Sequence, residues 1–538
     1  MIIGGAGAAV AAMLAEGWLG PRDPNVTDPS SWWGILPSTP PTETARGVLA
    51  GLSALSVITL CLCWVLLVRA MAAGRVSTRT GLAAAAAWSL PFAVGPPLFS
   101  RDVYAYAAQG ELARLGLDPA THGVATLLTA GASDGSGQAF VRAVDPRWWH
   151  THTPYGGAAV AVEKAAAAIG GGPAGTIAVL RVIAVLATIA LICLSLLLAG
   201  SEPGRRRAVA VLVAANPVVV IHLVGGAHLD ALAAALVVAA LVLDRVPRVA
   251  GHGTLPGAAA TGLAGLAGNV KATALLCVGW LVLAHLLAAR RAPRPVRAAV
   301  VRLAADAVAV AVASALSIAA AGFGPTWIHA LSTSGTLTTG IAPAAVLAAA
   351  ADGVLALLGV HPADGATQRV TRTLCLAAAA AVVGALAVRA WRRSSEAPAG
   401  PGTTGGDRAL RAFADRRPDL VVVGFGGLAV ALGNPVVYPW YLALCLTPLA
   451  ILTTGGAPGG RRTGRLPGTA AGRTVAALVV TSAWLCLATL SPLAATWRLL
   501  GPAGIAALVT VAALAVGAGV ATALVAARRR PAPPTSTP

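Results

Sequence analysis

Apolar runs recur along this chain at a length that a lipid bilayer demands. Stretches rich in Ala, Leu, Val, Ile and Gly lie near 1–19, 47–70, 81–99, 174–200, 207–226, 228–244, 256–270, 272–289, 297–321, 368–391, 419–435, 438–454, 474–494 and 502–527. Crossing roughly 30 Å of hydrocarbon takes about 20 helical residues, and these runs approach that length. The pattern predicts an all-α polytopic membrane protein, a bundle of roughly 13–14 transmembrane helices. Residues 1–19 lack a basic leader and are read as a first span, not as a cleaved signal peptide. The apolar stretch 341–359 is expected to be re-entrant or to lie on the membrane surface. A full crossing there would carry the basic loop Arg389–Arg417 to the wrong side.

Charge fixes the expected orientation. Arginines cluster at 69–79, 205–207, 245–248, 290–297, 389–417, 461–473 and 528–530, in nearly every second break between apolar runs. That is the positive-inside pattern. It accounts for the net charge of +19 without invoking nucleic acid. Only 11% of residues are charged, against about 25% in soluble chains. The expected outer segments are then 20–46, 100–173, 226–228, 322–367, 434–440 and 495–501. Residues 100–173 form the longest of them, and loops of that length are usually functional or disordered. Residues 1–391 therefore read as one transmembrane module carrying this long extracytoplasmic loop. Residues 392–418 read as a cytosolic linker, 419–527 as C-terminal transmembrane helices, and 528–538 as a disordered cytosolic tail.

The seven cysteines all fall inside apolar runs, so no disulfide framework is visible. The chain has no phosphate-binding loop of the GxxxxGK[ST] kind and no HExxH. Any catalytic site must be built from membrane helices and outer loops.

Five constellations carry candidate chemistry. The first is Arg101-Asp102 with Tyr104, Tyr106 and Gln109. An ionised carboxylate at the lip of a bilayer is costly unless held there. Asp102, Tyr106 and Gln109 share a helix face by their i, i+4, i+7 spacing, while Ala105, Ala108 and Leu112 would let the helix lie in the interface. Asp102 is a candidate general base, or a cap for that helix paired with Arg101. The second is Asp145-Pro-Arg-Trp148-Trp149-His150-Thr-His152-Thr-Pro-Tyr155. Its tryptophans could stack on sugar faces or anchor the loop at the headgroups. Two histidines without a third ligand do not argue for a metal. The third is Asn216-Pro through His222, Gly225-Gly226 and His228-Leu-Asp230. A fresh helix N-terminus at His228 suits a phosphate, with Asp230 orienting the histidine or capping the helix. The fourth is Lys271, read as a phosphate clamp or as a snorkelling lysine. The fifth is Tyr438-Pro-Trp440-Tyr441, for interface anchoring or for a lipid-linked ligand.

Taken in order, Ser100–Gly110, Asp145–Trp148 with Thr153–Gly156, Asn216–Asp230 and Pro439–Tyr441 resemble the actinobacterial polyprenol-phosphate-mannose-dependent α-1,6-mannosyltransferases. The resemblance is spread over most of the chain. It implies a GT-C type membrane glycosyltransferase with outer-face loop helices. It implies a polyprenyl-phosphate mannose donor, a mannan or phosphatidylinositol mannoside-type acceptor, and a role in lipomannan and lipoarabinomannan synthesis at the extracytoplasmic face of the plasma membrane. Asp102 would be the catalytic base. His228, Lys271 and Arg101 would hold the donor phosphate, and Tyr106, Gln109, Trp148, Trp149, Tyr155, His222, Asp230, Tyr438 and Trp440 would bind substrate, with no metal and no other cofactor. Two positions depart from the expected pattern: Arg101-Asp102 stands where many relatives of the wider class carry paired acids, and Gly157 follows Pro-Tyr-Gly where Pro is expected. A related enzyme using another polyprenyl-phosphate sugar such as arabinofuranose, and a lipid-linked sugar flippase, remain the alternatives. A flippase would place ionisable groups at the membrane midplane.

Overall fold

The computed structural model describes residues 1–19, 36–37, 39, 41–130, 136–245, 254–334, 342–393, 417–454 and 470–488. Among them every regular element is helical. In chain order these are α1 (Ile2–Leu19), α2 (Glu43–Ala72), α3 (Thr78–Val94), α4 (Asp102–Arg114), α5 (Leu127–Ala130), α6 (Ser136–Ala143), α7 (Gly157–Gly170), α8 (Pro173–Ala199), α9 (Pro203–Ala208), α10 (Asp230–Leu243), α11 (Thr254–Val270), α12 (Leu275–Ala289), α13 (Pro295–Ala321), α14 (Trp327–Ser334), α15 (Pro343–Leu357), α16 (Ala366–Arg393), α17 (Pro418–Gly433), α18 (Ala443–Leu452) and α19 (Ala470–Ala488). Two π-helical segments, Val209–Ala214 and Val218–Gly225, join α9 to α10.

The helix starts follow local chemistry. The Thr42 and Ser77 hydroxyls accept the N–H groups of Ala45 and Thr80 at 3.3 and 3.0 Å, which satisfies donors that the helix leaves orphaned. Proline opens α8, α13, α15 and α17, where its missing N–H costs nothing.

Seven of these helices are long and apolar enough to cross a membrane: α1, α2, α8, α12 with the short turn before it, α13, α16 and α19. This is a multi-pass membrane protein. The other expected spans within the described residues appear as shorter helices, or as the 203–225 segment, which is bent by 54°. The expected span 502–527, the tail and most of the linker 392–418 lie outside the described residues. Leu55, Leu62 and Leu66 of α2 and Val182, Leu186 and Ile189 of α8 are exposed. Large apolar surface of this kind needs lipid against it.

The bend at 216–217 has a clear cause. Pro217 cannot donate to the turn before it. Asn216 fills in on both sides, donating to Leu212 O at 3.1 Å and accepting from Val218 N–H at 2.9 Å. Wide π turns follow, of the kind found most often at functional sites.

The helix after Ser100 is a correction. The sequence suggested that it could lie in the interface. Every residue from Val103 to Ala113 is buried instead. α4 packs between α7 and α8, closely enough that a methyl on Gly110 would overlap the Glu163 carbonyl. Ala105, Ala107, Ala108 and Gly110 let neighbours approach closely, while Tyr104, Tyr106 and Leu112 fill the space between them.

Candidate active site

Backbone strain brackets the site. Phe99 and Ala227 adopt left-handed conformations, with φ of 62° and 53°, unusual for residues other than glycine. Such strain persists where surrounding structure enforces it, often at functional sites. Phe99 lies three residues before Asp102, and Ala227 directly precedes His228.

A buried arginine fixes both segments. Arg181, in the middle of α8, donates to the carbonyls of Phe92, of Gly95 at 3.2 Å and of Gly225 at 3.0 Å. It ties the end of α3 to the end of the π turns. The signal for it was legible, since a charge inside an apolar run is rarely idle. Hydrogen bonds to charged groups contribute about 1.5–3 kcal/mol each. Arg181→Met is therefore expected to destabilise the fold by roughly 3 kcal/mol or more, because it removes several charged hydrogen bonds at once, although Gly225 O keeps the Leu98 N–H at 3.2 Å. Thermal unfolding in detergent, followed by tryptophan fluorescence, measures it, with Arg181→Lys restoring part of the loss.

Asp102 is the first residue of α4, and its N–H bonds the Ser100 hydroxyl at 3.1 Å. Its side chain is 20% exposed and faces His228, with 3.7 Å from Oδ2 to Nδ1. The Tyr106 hydroxyl lies 3.4 Å from the same nitrogen. One turn of helix thus aims two groups at His228. The His228 ring stacks on Trp440 at 3.6 Å, and Trp440 stacks on Tyr438 at 4.5 Å. His222 packs beside Trp440 at 5.6 Å. Neither ring nitrogen of His222, nor Nε2 of His228, has a hydrogen-bond partner among the described residues.

Lys271 makes the second half of the site. Its Nζ lies 2.6 Å from Asp230 Oδ1, 4.2 Å from the centre of the Tyr441 ring and 5.9 Å from that of Tyr155. Tyr155 in turn packs edge-on against Tyr106 at 5.4 Å. Asp230 therefore holds the lysine; it was expected to orient His228 or cap the helix. The helix start also differs from expectation. α10 begins at Asp230, two residues after His228. The N–H groups of Ala231 and Leu232 are already bonded to the carbonyls of His228 and Leu229, so those two donors are not open to a phosphate.

Electrostatics mark Asp102 as a usable base. Burial pushes its carboxyl up to about 6, with Lys271 opposing and Asp230 adding to the rise. Ser100 and Arg147 pull it back down. Burial also raises the Tyr106 and Tyr155 hydroxyls well above their ordinary range, so both remain neutral donors. Asp145 behaves oppositely. Its burial is outweighed by hydrogen bonds with Arg147, which hold it below the usual carboxylate range.

Arg147 and Tyr441 were not picked out as site residues. Arg147 pairs with Asp145 at 2.9 Å, lies over Trp148 at 6.0 Å and acts electrostatically on Asp102. Trp149 donates to Val144 O at 3.1 Å, which holds the loop together. Gln109 is buried deeper in α4, its Oε1 without a partner among the described residues. Among the described residues no group of three or more His, Cys, Asp or Glu side chains is arranged to hold a metal ion.

Residues 1–290 match the family model described as alpha-(1->6)-mannopyranosyltransferase, N-terminal domain. Alpha-(1->6)-mannopyranosyltransferase A of Mycobacterium tuberculosis is 33% identical over 275 residues, 50% of each chain. The match thus spans about half the length of that relative. A Mycolicibacterium smegmatis protein, described as a probable alpha-(1->6)-mannopyranosyltransferase, is 28% identical over 485 residues, 83% of this chain and 78% of its own. Alpha-(1->6)-mannopyranosyltransferase B of Corynebacterium glutamicum is 26% identical over 379 residues, 68% of this chain and 57% of its own. No solved structure matches this chain.

Proposed function

This chain belongs to the alpha-(1->6)-mannopyranosyltransferase family, and from that membership we propose that it moves mannose from polyprenyl-phosphate mannose to the 6-hydroxyl of a mannan acceptor. The observation that carries the reading is the pairing of a partly exposed, hard-to-ionise carboxyl, Asp102, with a neighbouring cationic and aromatic cluster.

The reaction is a single displacement with inversion. The acceptor O6 attacks the anomeric carbon of a β-linked mannosyl phosphate. The bond from that carbon to the phosphate oxygen breaks, and the new linkage is α. Asp102 takes the O6 proton, a step worth about 10²–10⁴-fold when a base is well placed. The polyprenyl phosphate leaves with the bonding electron pair and needs no proton, so one carboxylate suffices. Lys271 and Arg101 meet its growing charge as cations, with Arg147 as a further one. His228, which burial keeps neutral, can offer only an N–H, and fixed donors aimed at developing charge supply most of such catalysis. Tyr106, Gln109, Trp148, Trp149, Tyr155, His222, Asp230, Tyr438 and Trp440 bind the sugars or shape the site around them. In this reading the site faces the outside of the plasma membrane, and the acceptor is a mannan of phosphatidylinositol mannoside type.

Purified protein in detergent, given labelled polyprenyl-phosphate mannose and a short α-1,6-mannan, should yield a product one mannose longer with a 1→6 linkage. No transfer, or transfer only from a polyprenyl-phosphate arabinofuranose, would overturn the assignment. The charge stabilisation is assigned to side chains, with no metal. Excess EDTA should therefore leave the initial rate within about twofold, well short of the factor of 10²–10³ that losing one electrostatic stabiliser costs. A large loss restored by magnesium or manganese would reject that part of the mechanism.

A further inference from the structure

A second polar site lies at the other end of the bundle. α10 begins at Asp230, beside Lys271, and ends against Asp244 after 14 residues. At about 1.5 Å per residue those ends are roughly 21 Å apart. Where α10, α12, α16 and the first turn of α17 meet, there is a cavity of about 710 Å³. Pockets that hold ligands run from about 300 to 1,000 Å³.

Five arginines line this cavity: Arg245, Arg291, Arg389, Arg393 and Arg417. Two carboxylates accompany them, and both are engaged. Asp419 contacts Arg245 and also lies 3.6 Å from Arg417. Asp244 lies 3.1 Å from His285, whose other nitrogen is 2.8 Å from Asp306. The rest of the wall is apolar, as at Leu287 and Leu386. Trp280 also lines the cavity and is 4% exposed. Its ring N–H has no hydrogen-bond partner among the described residues, although a buried indole N–H usually finds one.

We propose that this cavity binds the phosphate headgroup of an anionic phospholipid. Topology alone explains basic residues at one end of a membrane bundle. It does not explain a ligand-sized cavity, or a buried donor left open inside the same wall. Basic pockets between membrane helices are the usual seats of acidic headgroups. Here α12 and α16, which line the cavity, are both long and apolar enough to span a membrane, and Leu374, Val382 and Val388 of α16 are exposed. The inference is independent of the proposed transfer reaction, because no residue of the Asp102 cluster takes part.

The test is native mass spectrometry of the full chain, delipidated in a nonionic detergent, with phosphatidylglycerol and phosphatidylcholine of matched acyl chains. The wild type should retain phosphatidylglycerol in preference. Arg389 and Arg393 sit one turn apart on α16, so the double change R389Q/R393Q should weaken that retention by roughly tenfold or more. Trp280→Phe keeps the ring and removes only the N–H, and should weaken it by a few-fold. Unchanged thermal midpoints in lipid-free detergent would show that both variants fold. Equal retention of phosphatidylcholine, or retention of phosphatidylglycerol unaltered by either change, overturns the proposal. Displacement of the lipid by millimolar inorganic phosphate also overturns it, and makes the cavity a site for free phosphate.

Discussion

Membranes carrying Asp102→Asn are expected to make far less product from labelled polyprenyl-phosphate mannose, with kcat down by about 10²–10⁴-fold. Asparagine keeps the shape, and it preserves the N–H contact with Ser100 that starts α4. What it removes is the ability to accept a proton. The same base should show in the pH profile. Burial raises the Asp102 carboxyl to about 6 in the folded protein, against about 3.9 for a free aspartate. Only the ionised form can take a proton, so kcat/KM should fall with unit slope below pH 6 and flatten above it. The sign for stability is the reverse. A carboxyl whose folded value is raised binds its proton more tightly when folded, so its contribution becomes less favourable as pH rises from about 4 through about 6. At neutral pH the wild type carries that full penalty, and Asp102→Asn should be at least as stable. An inactive variant that unfolds earlier than wild type would instead make Asp102 a structural residue. A pH profile that stays flat below 6 would move the proton transfer to another group.

The sequence made Asp102 conspicuous because a charge beside an apolar run costs energy wherever it sits. It could not say what Asp102 faces. His228 is far along the chain, and the segments that carry the two are joined by Arg181 and by the Leu98 N–H on the Gly225 carbonyl. The bend there was half legible. Asn216-Pro217 signals a break, but nothing local says that the turns after it widen. The reading of α4 as an interfacial helix failed for a physical reason. Ala105, Ala107, Ala108 and Gly110 have no strong preference for water or core, so their pattern does not choose a face. Packing against α7 and α8 chose all of them. Lys271 and Asp230 show the same limit. Each was marked by being charged in an apolar setting, yet their pairing belongs to the contact between neighbouring helices. Arg147 was overshadowed by the tryptophans beside it.

That ion pair makes the Lys271 series the more searching experiment. Lys271→Met alone leaves Asp230 with no cation, and the Asp230 side chain is 3% exposed against 11% for Lys271. Removing one partner of a buried pair costs about 3–5 kcal/mol, because a charge stays behind uncompensated. Lys271→Met should therefore lose both fold and activity, and alone it says nothing about catalysis. The double variant Lys271→Met with Asp230→Asn removes both charges, and replacing a buried pair by neutral groups is often close to neutral for stability. Its thermal midpoint should return towards wild type. If Lys271 meets the departing phosphate, transfer should stay depressed by about 10²–10³-fold in the double variant, the size expected for losing one fixed electrostatic stabiliser. Lys271→Arg with Asp230 intact should keep both charge and pair, and recover part of the rate. Asp230→Asn alone strands the ammonium over the Tyr441 ring, 4.2 Å from its centre, and should also lower the thermal midpoint, so its kinetics are read on the folded fraction. Its donor KM should fall or hold, because a phosphate no longer competes with a carboxylate for Lys271. Full transfer activity in the refolded double variant would confine Lys271 to the fold and leave the phosphate to His228, Arg101 and Arg147.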